Sequence, residues 1–513
     1  MSADNNNLYT ALRAAFPADL DATAIETADT AAPLYYTWRD LERGTAMLAN
    51  LIASLALPPA SRIAVQTEKS VEALMLYLAV LRAGHVFLPL NTAYQAGEIE
   101  YFVGNAEPAM VVCAGKNFGW ISKIAFLAGT KHVFTLNEDR SGTLLDRACF
   151  QSDRHTPAVC AADDLAAILY TSGTTGRSKG AMLTHGNLLS NARVLHQAWG
   201  WRTDDVLIHA LPIFHVHGLF VASHGALLAG AKMIWFSRFD PRAAAARLPE
   251  ATVFMGVPTL YVRLLGEAGL TKQACQGMRL FVSGSAPLLI ETFKAWQERT
   301  GHTILERYGM SETVMLTSNP YRPESARRGG TVGRPLPGVS VRVHDDQAQA
   351  LPAGEIGSIQ VRGPNVFKGY WRMPEKTREE FTTDGWFKTG DVGKVDADGC
   401  ITIVGRSKDL IITGGYNVYP AEIEGYVNDL PGVLESAVIG VPHPDFGEAV
   451  VAVVVQKPGA ALDGGAVTAA LKAQIANFKV PKQIYLVEEL PRNTMGKVQK
   501  NLLREKHQGL FKA

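Results

Sequence analysis

Short apolar runs and longer helical patterns alternate along the first part of the chain, and this alternation most limits the possible folds. The runs 63–65, 86–90 and 109–113 are short and apolar, which predicts buried strands. Between them, residues 71–81 carry apolar side chains at helical spacing, and residues 98–102 begin a second helical pattern. Strand, helix and strand in this order indicate a parallel sheet with helices on both faces.

The later parts of the chain differ in texture. A second alternating block runs from Val206 to Phe281. From about Gly338, short alternating strands lie between Gly, Pro and Asp turns, which is typical of antiparallel sheet. After Asp409 comes a compact region of about a hundred residues with both helices and strands. We therefore predict an α/β fold. Residues 1–407 would form a large N-terminal body of mixed α/β subdomains with a β-barrel-like subdomain, and residues 408–513 a small mobile α+β lid domain.

Composition excludes several classes of protein. The 50 basic and 49 acidic residues balance to a formal charge of +1, so neither nucleic acid nor a membrane surface is an expected partner. The five cysteines are scattered without C-x-x-C spacing, which favours a reducing compartment over a disulfide framework or a zinc site. We find no signal peptide, no run of ~18 apolar residues and no peroxisomal tail. The sequence thus predicts a cytoplasmic protein.

A loop rich in glycine and hydroxyl side chains separates two strand-like runs, 165–169 and 181–183. It consists of Thr171, Ser172, Gly173, Thr174, Thr175, Gly176, Arg177, Ser178, Lys179 and Gly180. Glycines let backbone N–H groups converge on an anion, and hydroxyls and cations add donors, so the loop is suited to phosphate. It is not the common P-loop, because Lys179 precedes Gly180 and more strand rather than a helix. The alternative interpretation is a Ser/Thr/Gly surface turn.

This loop resembles the phosphate loop of the adenylate-forming superfamily, which includes acyl-CoA synthetases, firefly luciferases and the adenylation domains of peptide synthetases. Further segments match that superfamily in the same order along the chain. They are Pro212–Gly218, Ser283–Leu288, Tyr308–Thr313, Thr389–Asp391, Gly405–Arg406, Gly414–Pro420 and Pro491–Lys497.

The resemblance implies ATP and Mg²⁺ as cofactors and coenzyme A as co-substrate. It implies that the 171–179 loop holds the β- and γ-phosphates and that Ser311, in place of the usual Thr, bonds the α-phosphate. Glu312 and Thr171 would hold Mg²⁺ through oxygen atoms. The residues expected along the adenine ring are Ser285, Ala286, Pro287, Tyr308 and Gly309.

The resemblance also assigns roles to the C-terminal part. Asp391 and Arg406 would reach the ribose, and Lys497 would be the catalytic lysine of adenylation. Lys408 would be the hinge at which the lid turns between the two half-reactions. The segment with Gly414, Gly415 and Tyr416 would flank the pantetheine tunnel.

For the acid, the runs 88–94, 215–220 and 308–312 resemble those of malonyl-CoA synthetases, which implies malonate, and methylmalonate beside it, as substrate. The family motif places His215 and His217 beside the acyl pocket; taken alone, both could be ordinary core histidines. Ser283 is a further substrate candidate, and Met310 would exclude long chains. A second carboxylate buried in the pocket needs a cation, and Arg binds carboxylates bidentately. Arg238 is our candidate, with surface pairing at a strand end as the alternative.

Three functions therefore compete. The first is ATP-dependent ligation of malonate to free coenzyme A through an acyl-adenylate, since no carrier domain follows residue 513. The second is the same chemistry with another short-chain, medium-chain or aryl acid. The third is a non-catalytic nucleotide-binding protein, against which the intact Lys497, Glu312 and Asp391 argue. A lysine acyltransferase or deacylase acting on Lys497 is a candidate partner.

Overall fold

The computed structural model describes residues 5–28, 32–171, 178–345, 347–413, 416–494 and 496–511, with the side chains of 416 and 417 left out. The chain divides into two compact units. The first comprises Met1–Ser340 and Arg362–Phe387, and the second comprises Val341–Val361 and Lys388–Ala513. The second unit thus includes strands that precede residue 408, and the domain boundary predicted between 407 and 408 stays a prediction.

The helices are, in chain order, α1 (Leu8–Ala14), α2 (Trp38–Ser54), α3 (Val71–Arg82), α4 (Ala96–Ala106), α5 (Phe118–Leu127), α6 (Thr143–Ala148), α7 (His185–Ala198), α8 (His224–Ala229), α9 (Pro241–Arg247), α10 (Pro258–Leu265), α11 (Ile290–Thr300), α12 (Pro374–Glu380), α13 (Pro420–Asn428), α14 (Gly464–Lys472) and α15 (Lys500–His507). Short 3₁₀ helices lie at Gly115–Asn117, Leu248–Glu250, Glu324–Ala326 and Ser407–Asp409, and a π-helix spans His217–Ser223. In the part of the chain that is described, no helix is both long and apolar enough to cross a membrane.

The strands are β1 (Thr23–Thr27), β2 (Tyr35–Thr37), β3 (Arg62–Gln66), β4 (Val86–Pro89), β5 (Met110–Cys113), β6 (His132–Thr135), β7 (Leu165–Thr171), β8 (Lys179–Thr184), β9 (Val206–His209), β10 (Lys232–Trp235), β11 (Val253–Gly256), β12 (Leu280–Ser283), β13 (Leu305–Tyr308), β14 (Thr317–Ser318), β15 (Arg334–Pro335), β16 (Ser340–His344), β17 (Gly357–Arg362), β18 (Gly369–Tyr370), β19 (Phe387–Val395), β20 (Ile401–Arg406), β21 (Ile411–Thr413), β22 (Tyr416–Val418), β23 (Val433–His443), β24 (Gly447–Gln456) and β25 (Gln483–Val487).

Two large sheets form the first unit. The seven-stranded sheet has the order β18-β8-β7-β4-β3-β5-β6. Strands β7, β4, β3, β5 and β6 are parallel, whereas at one edge of the sheet β8 pairs antiparallel with both β7 and β18. The nine-stranded sheet has the order β15-β14-β13-β12-β11-β9-β10-β1-β2, with parallel strands from β13 to β1. The predicted parallel sheet is therefore confirmed, because β3 pairs in parallel with both β4 and β5. These three strands are almost wholly buried, as is usual for parallel strands.

Helix α3 shows why these segments fold as they do. Ser70 caps its N-terminus by accepting a hydrogen bond from the N–H of Ala73, and every residue of the helix is buried. Its two charged residues are paired: Glu72 accepts a hydrogen bond from Tyr36 at 2.6 Å, and Arg82 donates to Tyr9 at 2.7 Å. This helix can be buried along its whole length because both of its charged residues have hydrogen-bond partners.

The second unit contains two smaller sheets. One is four-stranded, with the order β16-β17-β19-β20, and accounts for the β-rich region predicted after Gly338. The other has the order β22-β21-β24-β23, with β25 added beside β24, and packs against α13, α14 and α15. The predicted strand 483–487 coincides with β25, and the predicted helix near residue 421 is α13.

Candidate active site

The predicted phosphate loop connects the antiparallel strands β7 and β8. Thr171 ends β7 opposite Lys179, the first residue of β8, and the Thr171 hydroxyl donates to the Lys179 carbonyl at 3.4 Å. Where the loop rejoins β8, the Tyr101 hydroxyl donates to the carbonyl of Ser178 at 2.8 Å. Five of the predicted phosphate ligands, Ser172, Gly173, Thr174, Thr175 and Gly176, lie outside the described residues. The structure thus fixes both ends of the loop and the position of its lysine.

The ammonium of Lys179 has two neighbours that sequence reasoning missed. It lies 3.2 Å from Glu380 Oε1 and 4.3 Å from the ring centroid of Tyr370. The Tyr370 hydroxyl in turn donates to Glu312 Oε1 at 3.0 Å. The structure therefore brings together the lysine of the phosphate loop and the predicted Mg²⁺ ligand, although 133 positions separate them in sequence. No sequence signal could have found Glu380, because an acidic residue at the end of a charged surface helix is commonplace.

The donor set around Glu312 fits Mg²⁺ that arrives with a nucleotide. Glu312 is 5 % exposed, and one of its oxygens is oriented by Tyr370. Among the described residues no group of three or more His, Cys, Asp or Glu side chains could hold a metal ion. Mg²⁺ keeps several waters and binds substrate phosphates, so one or two protein oxygen ligands such as Glu312 are enough to hold it. Thr171 is half-buried at the end of β7, and its role as a second ligand stays a prediction.

The residues before Glu312 form a tight turn after β13. Tyr308, Met310 and Ser311 are half-buried there. A Cβ on Gly309 would lie 1.9 Å from the carbonyl oxygen of Val314, so only glycine fits at this position. The turn thus presents a tyrosine, a methionine and a hydroxyl next to a buried carboxylate, as the motif predicts. Their individual contacts with adenine, acid and phosphate stay predictions.

The two histidines of the His-x-His motif differ in their surroundings. His215 is half-buried, whereas His217 begins the π-helix and is fully buried. Burial, followed by the charges of Arg307 and His215, holds the pKa of His217 well below its usual range, so this imidazole is neutral. Its Nε2 atom has no hydrogen-bond partner. Gly218 is required by close approach, because a Cβ there would lie 2.1 Å from the carbonyl oxygen of Pro212.

A buried network supports this turn from behind. His209 Nε2 lies 3.0 Å from both the carbonyl oxygen of Gly218 and the hydroxyl of Ser223. Because a carbonyl oxygen only accepts, Nε2 carries the proton, and Nδ1 accepts from Lys69 Nζ at 3.0 Å. Burial and then the Lys69 charge keep the pKa of His209 well below its usual range. The π-helix, a feature often found at functional sites, is thus held in place by a neutral histidine.

Arg307 is the most unusual group in the region, and the sequence did not single it out. It is 3 % exposed, and its Nε and Nη2 atoms have no hydrogen-bond partner. Desolvation lowers its pKa to about 9, which leaves the guanidinium charged at neutral pH. A Cβ on Gly284 would lie 2.5 Å from the Arg307 guanidinium carbon, so Gly284 makes room for the charge. A buried charge with unsatisfied N–H groups is costly, so the Nε and Nη2 atoms of Arg307 are available to accept an anion as partner.

The predicted adenine turn adjoins the same region. Ser283, 1 % exposed, ends β12, and its hydroxyl is another buried atom without a partner. Ser285 has a φ of 70°, a strained backbone conformation for a residue with a side chain, and its hydroxyl lies 3.4 Å from His217 Nδ1. Ala286 is half-buried and Pro287 is exposed. Unsatisfied polar atoms of Ser283, His217 and Arg307 therefore cluster around Gly284.

Arg238, the predicted cation for a second carboxylate, lies at the surface of the first unit. Its side chain is 73 % exposed and pairs with Glu138 at 3.3 Å. This is the surface pairing at a strand end that we gave as the alternative interpretation. Its role as a substrate ligand stays a prediction.

The second unit gathers the predicted ribose and lysine residues. Asp391 is 3 % exposed, and its Oδ1 lies 2.8 Å from Arg406 Nε. The pKa of the exposed Lys497 is lowered by desolvation of its ammonium and then by Arg406, against the opposing pull of Asp391 and Asp409. Desolvation likewise lowers the pKa of Lys408 to about 8. Lys497, Arg406, Lys408 and Asp391 therefore share one electrostatic environment.

The lysine loop is closed by its own hydrogen bonds. The N–H of Lys497 donates to the Asn493 side chain at 2.9 Å, and the N–H of Asn493 donates to the Lys497 carbonyl at 2.9 Å. These bonds fix the backbone that carries the catalytic candidate. Gly414 and Gly415, predicted along the pantetheine tunnel, lie outside the described residues, as does the side chain of Tyr416.

Comparison with known protein families matches two parts of the chain. Residues 15–371 match the family described as AMP-binding enzyme, and residues 422–497 match the AMP-binding enzyme C-terminal domain. The first match alone covers more than half of the chain.

Individual relatives agree with these families. A malonate–CoA ligase of Arabidopsis thaliana is 35 % identical over 87 % of this chain and 78 % of the relative. A feruloyl-CoA synthase of an Amycolatopsis species is 34 % identical over 94 % of this chain and 96 % of the relative. Among solved structures, ATP-bound MatB from Rhodopseudomonas palustris has a TM-score of 0.96 and 54 % identity, covering 99 % of this chain and 100 % of that chain.

Proposed function

This chain belongs to the AMP-binding enzyme family, and we propose that it ligates malonate, and also methylmalonate, to coenzyme A. The reaction uses ATP: the acid is first converted to an acyl-adenylate with release of pyrophosphate, and the thiol of coenzyme A then displaces AMP. The observation that carries the choice of acid is Arg307, the buried guanidinium whose Nε and Nη2 lack partners beside the His-x-His turn.

The first step is an attack of a carboxylate on the α-phosphorus of ATP. Charge builds on phosphate oxygens, so catalysis consists mainly of positioning and of placing cations. Lys179 supplies one cation at the phosphate loop, and Glu312 is the ligand through which Mg²⁺ would neutralise the phosphates. Lys497 is proposed to bridge the reacting carboxylate and the α-phosphate. Asp391 and Arg406 are proposed to hold the ribose.

The second carboxylate of malonate requires its own partner within the acyl pocket. Arg307 is charged at neutral pH, and its fork-shaped donors match a carboxylate bidentately. The neutral His217 and the hydroxyl of Ser283 offer further hydrogen bonds in the same cluster. An acid with an apolar tail, such as a long-chain or aryl acid, would leave the Nε and Nη2 atoms of Arg307 buried without hydrogen-bond partners. Arg307 therefore favours a dicarboxylic acid over an aryl acid.

The test compares Arg307→Met with Arg238→Leu, since one removes a buried arginine and the other an exposed one. Breaking a buried ion pair costs on the order of 3–5 kcal/mol, so kcat/KM for malonate should fall by at least about a hundredfold in Arg307→Met. Activity with butyrate, which lacks the second carboxylate, should hold or rise, and this activity also reports that the variant is folded. Arg238→Leu should leave the ratio of malonate to butyrate unchanged.

Two outcomes would contradict this assignment. Equal loss with malonate and butyrate would make Arg307 a structural residue. Loss of the malonate preference in Arg238→Leu alone would instead support Arg238 as the cation.

We propose in addition that the chain works in the cytoplasm and that Lys497 is subject to acylation by a lysine acyltransferase and to its reversal by a deacylase. All five cysteines are free, which fits a reducing compartment. The exposed Lys497 has a lowered pKa, so a larger share of its amine is neutral and nucleophilic than in an ordinary lysine. Acetylation removes the charge on which adenylation depends, and an acetylated protein with full adenylation activity would refute this regulation.

A further inference from the structure

Lys179 is the cation of the phosphate loop, yet its ammonium is already engaged by a carboxylate of the same unit. Glu380 Oε1 lies 3.2 Å from Lys179 Nζ, and both side chains are about one-fifth exposed. The Tyr370 ring covers another side of the ammonium at 4.3 Å. An incoming triphosphate must therefore displace Glu380 or share Lys179 with it.

The position of Glu380 is set by several contacts and is not that of a loose surface side chain. It ends α12, where Lys376, one turn earlier, lies 3.2 Å from the same Oε1 atom. The middle of α12 is attached to β18, because the Thr377 hydroxyl accepts a hydrogen bond from the N–H of Tyr370 at 2.9 Å. Strand β18 pairs with β8, the strand that Lys179 begins. Glu380 and Lys179 are thus carried by neighbouring, hydrogen-bonded elements.

Two electrostatic effects of Glu380 on a polyphosphate have the same sign. The carboxylate competes for the ammonium, and its negative charge repels phosphate oxygens that approach within a few ångströms. Both effects weaken binding of ATP and of pyrophosphate. Weaker binding of pyrophosphate speeds its departure after adenylation, and product release often limits turnover.

We propose that Glu380 is an internal competitor for Lys179 that lowers the affinity of the phosphate loop for polyphosphate and so promotes release of pyrophosphate. The proposal rests on the proposed role of Lys179 as a phosphate-binding cation, and it is independent of which acid the enzyme activates.

The experiment measures dissociation constants of pyrophosphate and ATP, by calorimetry and without any acid, for the full-length protein and for Glu380→Gln. A partly exposed ion pair is worth up to ~1 kcal/mol, so Glu380→Gln should bind pyrophosphate about fivefold more tightly. Pyrophosphate should also become a stronger product inhibitor. The difference should shrink in ~1 M salt, where charges are screened beyond about 3 Å.

A matched control is available on the same helix. Glu375→Gln also removes one negative charge from α12, but Glu375 pairs with Arg378 at 3.3 Å. It should leave pyrophosphate affinity unchanged. In a Lys179→Met background, Glu380→Gln should change pyrophosphate affinity much less, since the ammonium for which Glu380 and phosphate compete is absent.

Three results would overturn the proposal. Weaker or unchanged pyrophosphate binding in Glu380→Gln would make Glu380 an orienting residue for Lys179. If Glu375→Gln tightened pyrophosphate binding as much as Glu380→Gln does, the effect would come from net charge alone. If Glu380→Gln kept its full effect in the Lys179→Met background, competition for Lys179 would be excluded. Because no acid is present, failure here leaves the malonate assignment untouched, and the Arg307→Met test leaves this proposal untouched.

Discussion

Glu306 provides a direct test of the electrostatics beside the candidate acyl pocket. It precedes Arg307 on β13 and is 7 % exposed, and its carboxyl accepts a hydrogen bond from the N–H of Gly330 at 3.1 Å. Desolvation raises the pKa of its carboxyl from 4.5 to about 8, against the opposing effect of the Gly330 bond. The folded protein therefore keeps this carboxyl protonated at pH values where the unfolded chain releases the proton.

The sign and size of the effect follow from this difference. Between pH 4.5 and about 8 the native state binds one more proton than the unfolded state, so the free energy of unfolding falls as the pH rises. At about 1.4 kcal/mol per pH unit, the whole interval corresponds to roughly 5 kcal/mol. Below pH 4.5 the contribution is fully present, and above pH 8 it is lost.

The perturbation is Glu306→Gln, whose side-chain oxygen can still accept from Gly330 but whose amide does not ionise. We expect wild type and variant to be similar near pH 5 and the variant to be more stable by several kcal/mol near pH 8.5. Urea unfolding followed by tryptophan fluorescence measures this in the first unit, because all eight tryptophans belong to it.

A contrasting buried carboxylate serves as control. Burial raises the pKa of Glu26, but hydrogen bonds from Lys232 and Arg247 outweigh it, so the pKa is lowered. Glu26→Gln should therefore destabilise the protein at neutral pH, and less so in acid. If Glu306→Gln and wild type show the same pH dependence, Glu306 is ionised in the native state and the argument from desolvation fails.

Three further predictions concern catalysis. Lys497→Ala should slow adenylation by ~10²–10³-fold, while thioester formation from supplied malonyl-AMP survives; equal loss in both half-reactions would disprove this division. Because the pKa of Lys497 is lowered, adenylation by the wild type should begin to decline before the rising pH reaches the ordinary lysine pKa of about 10.4. Lys408→Pro fixes φ and should slow one half-reaction far more than the other, as stopped-flow measurement of each would show, whereas equal slowing would remove Lys408 from the hinge role. Gly284→Ala places a Cβ against the Arg307 guanidinium and should lower kcat/KM for malonate by at least about tenfold with ATP affinity unchanged; full activity would mean that Arg307 can move aside.

Much of the secondary structure followed from local patterns. The spacing at 71–81 predicted α3, and the runs at 63–65, 86–90 and 109–113 predicted strands that the structure confirms within a residue or two. These segments are almost entirely apolar, so burial was their only stable outcome. The antiparallel pairing of β7 with β8 could not be predicted from the sequence pattern. The loop between these strands follows a series of parallel units and could equally have led to another crossover connection.

The sequence by itself determined the family and the residues of the motifs, because side chains that handle phosphate, Mg²⁺ and ribose stand at fixed positions in short local segments. It could not distinguish Arg238 from Arg307, since both arginines lie in or close to a buried strand. Only the tertiary structure decided that one is exposed and paired with Glu138 while the other is buried with unpartnered N–H groups. It likewise decided that Glu380, 201 residues from Lys179, pairs with its ammonium. Burial and ion pairing depend on which distant segments pack together, and this packing cannot be predicted from a local sequence pattern.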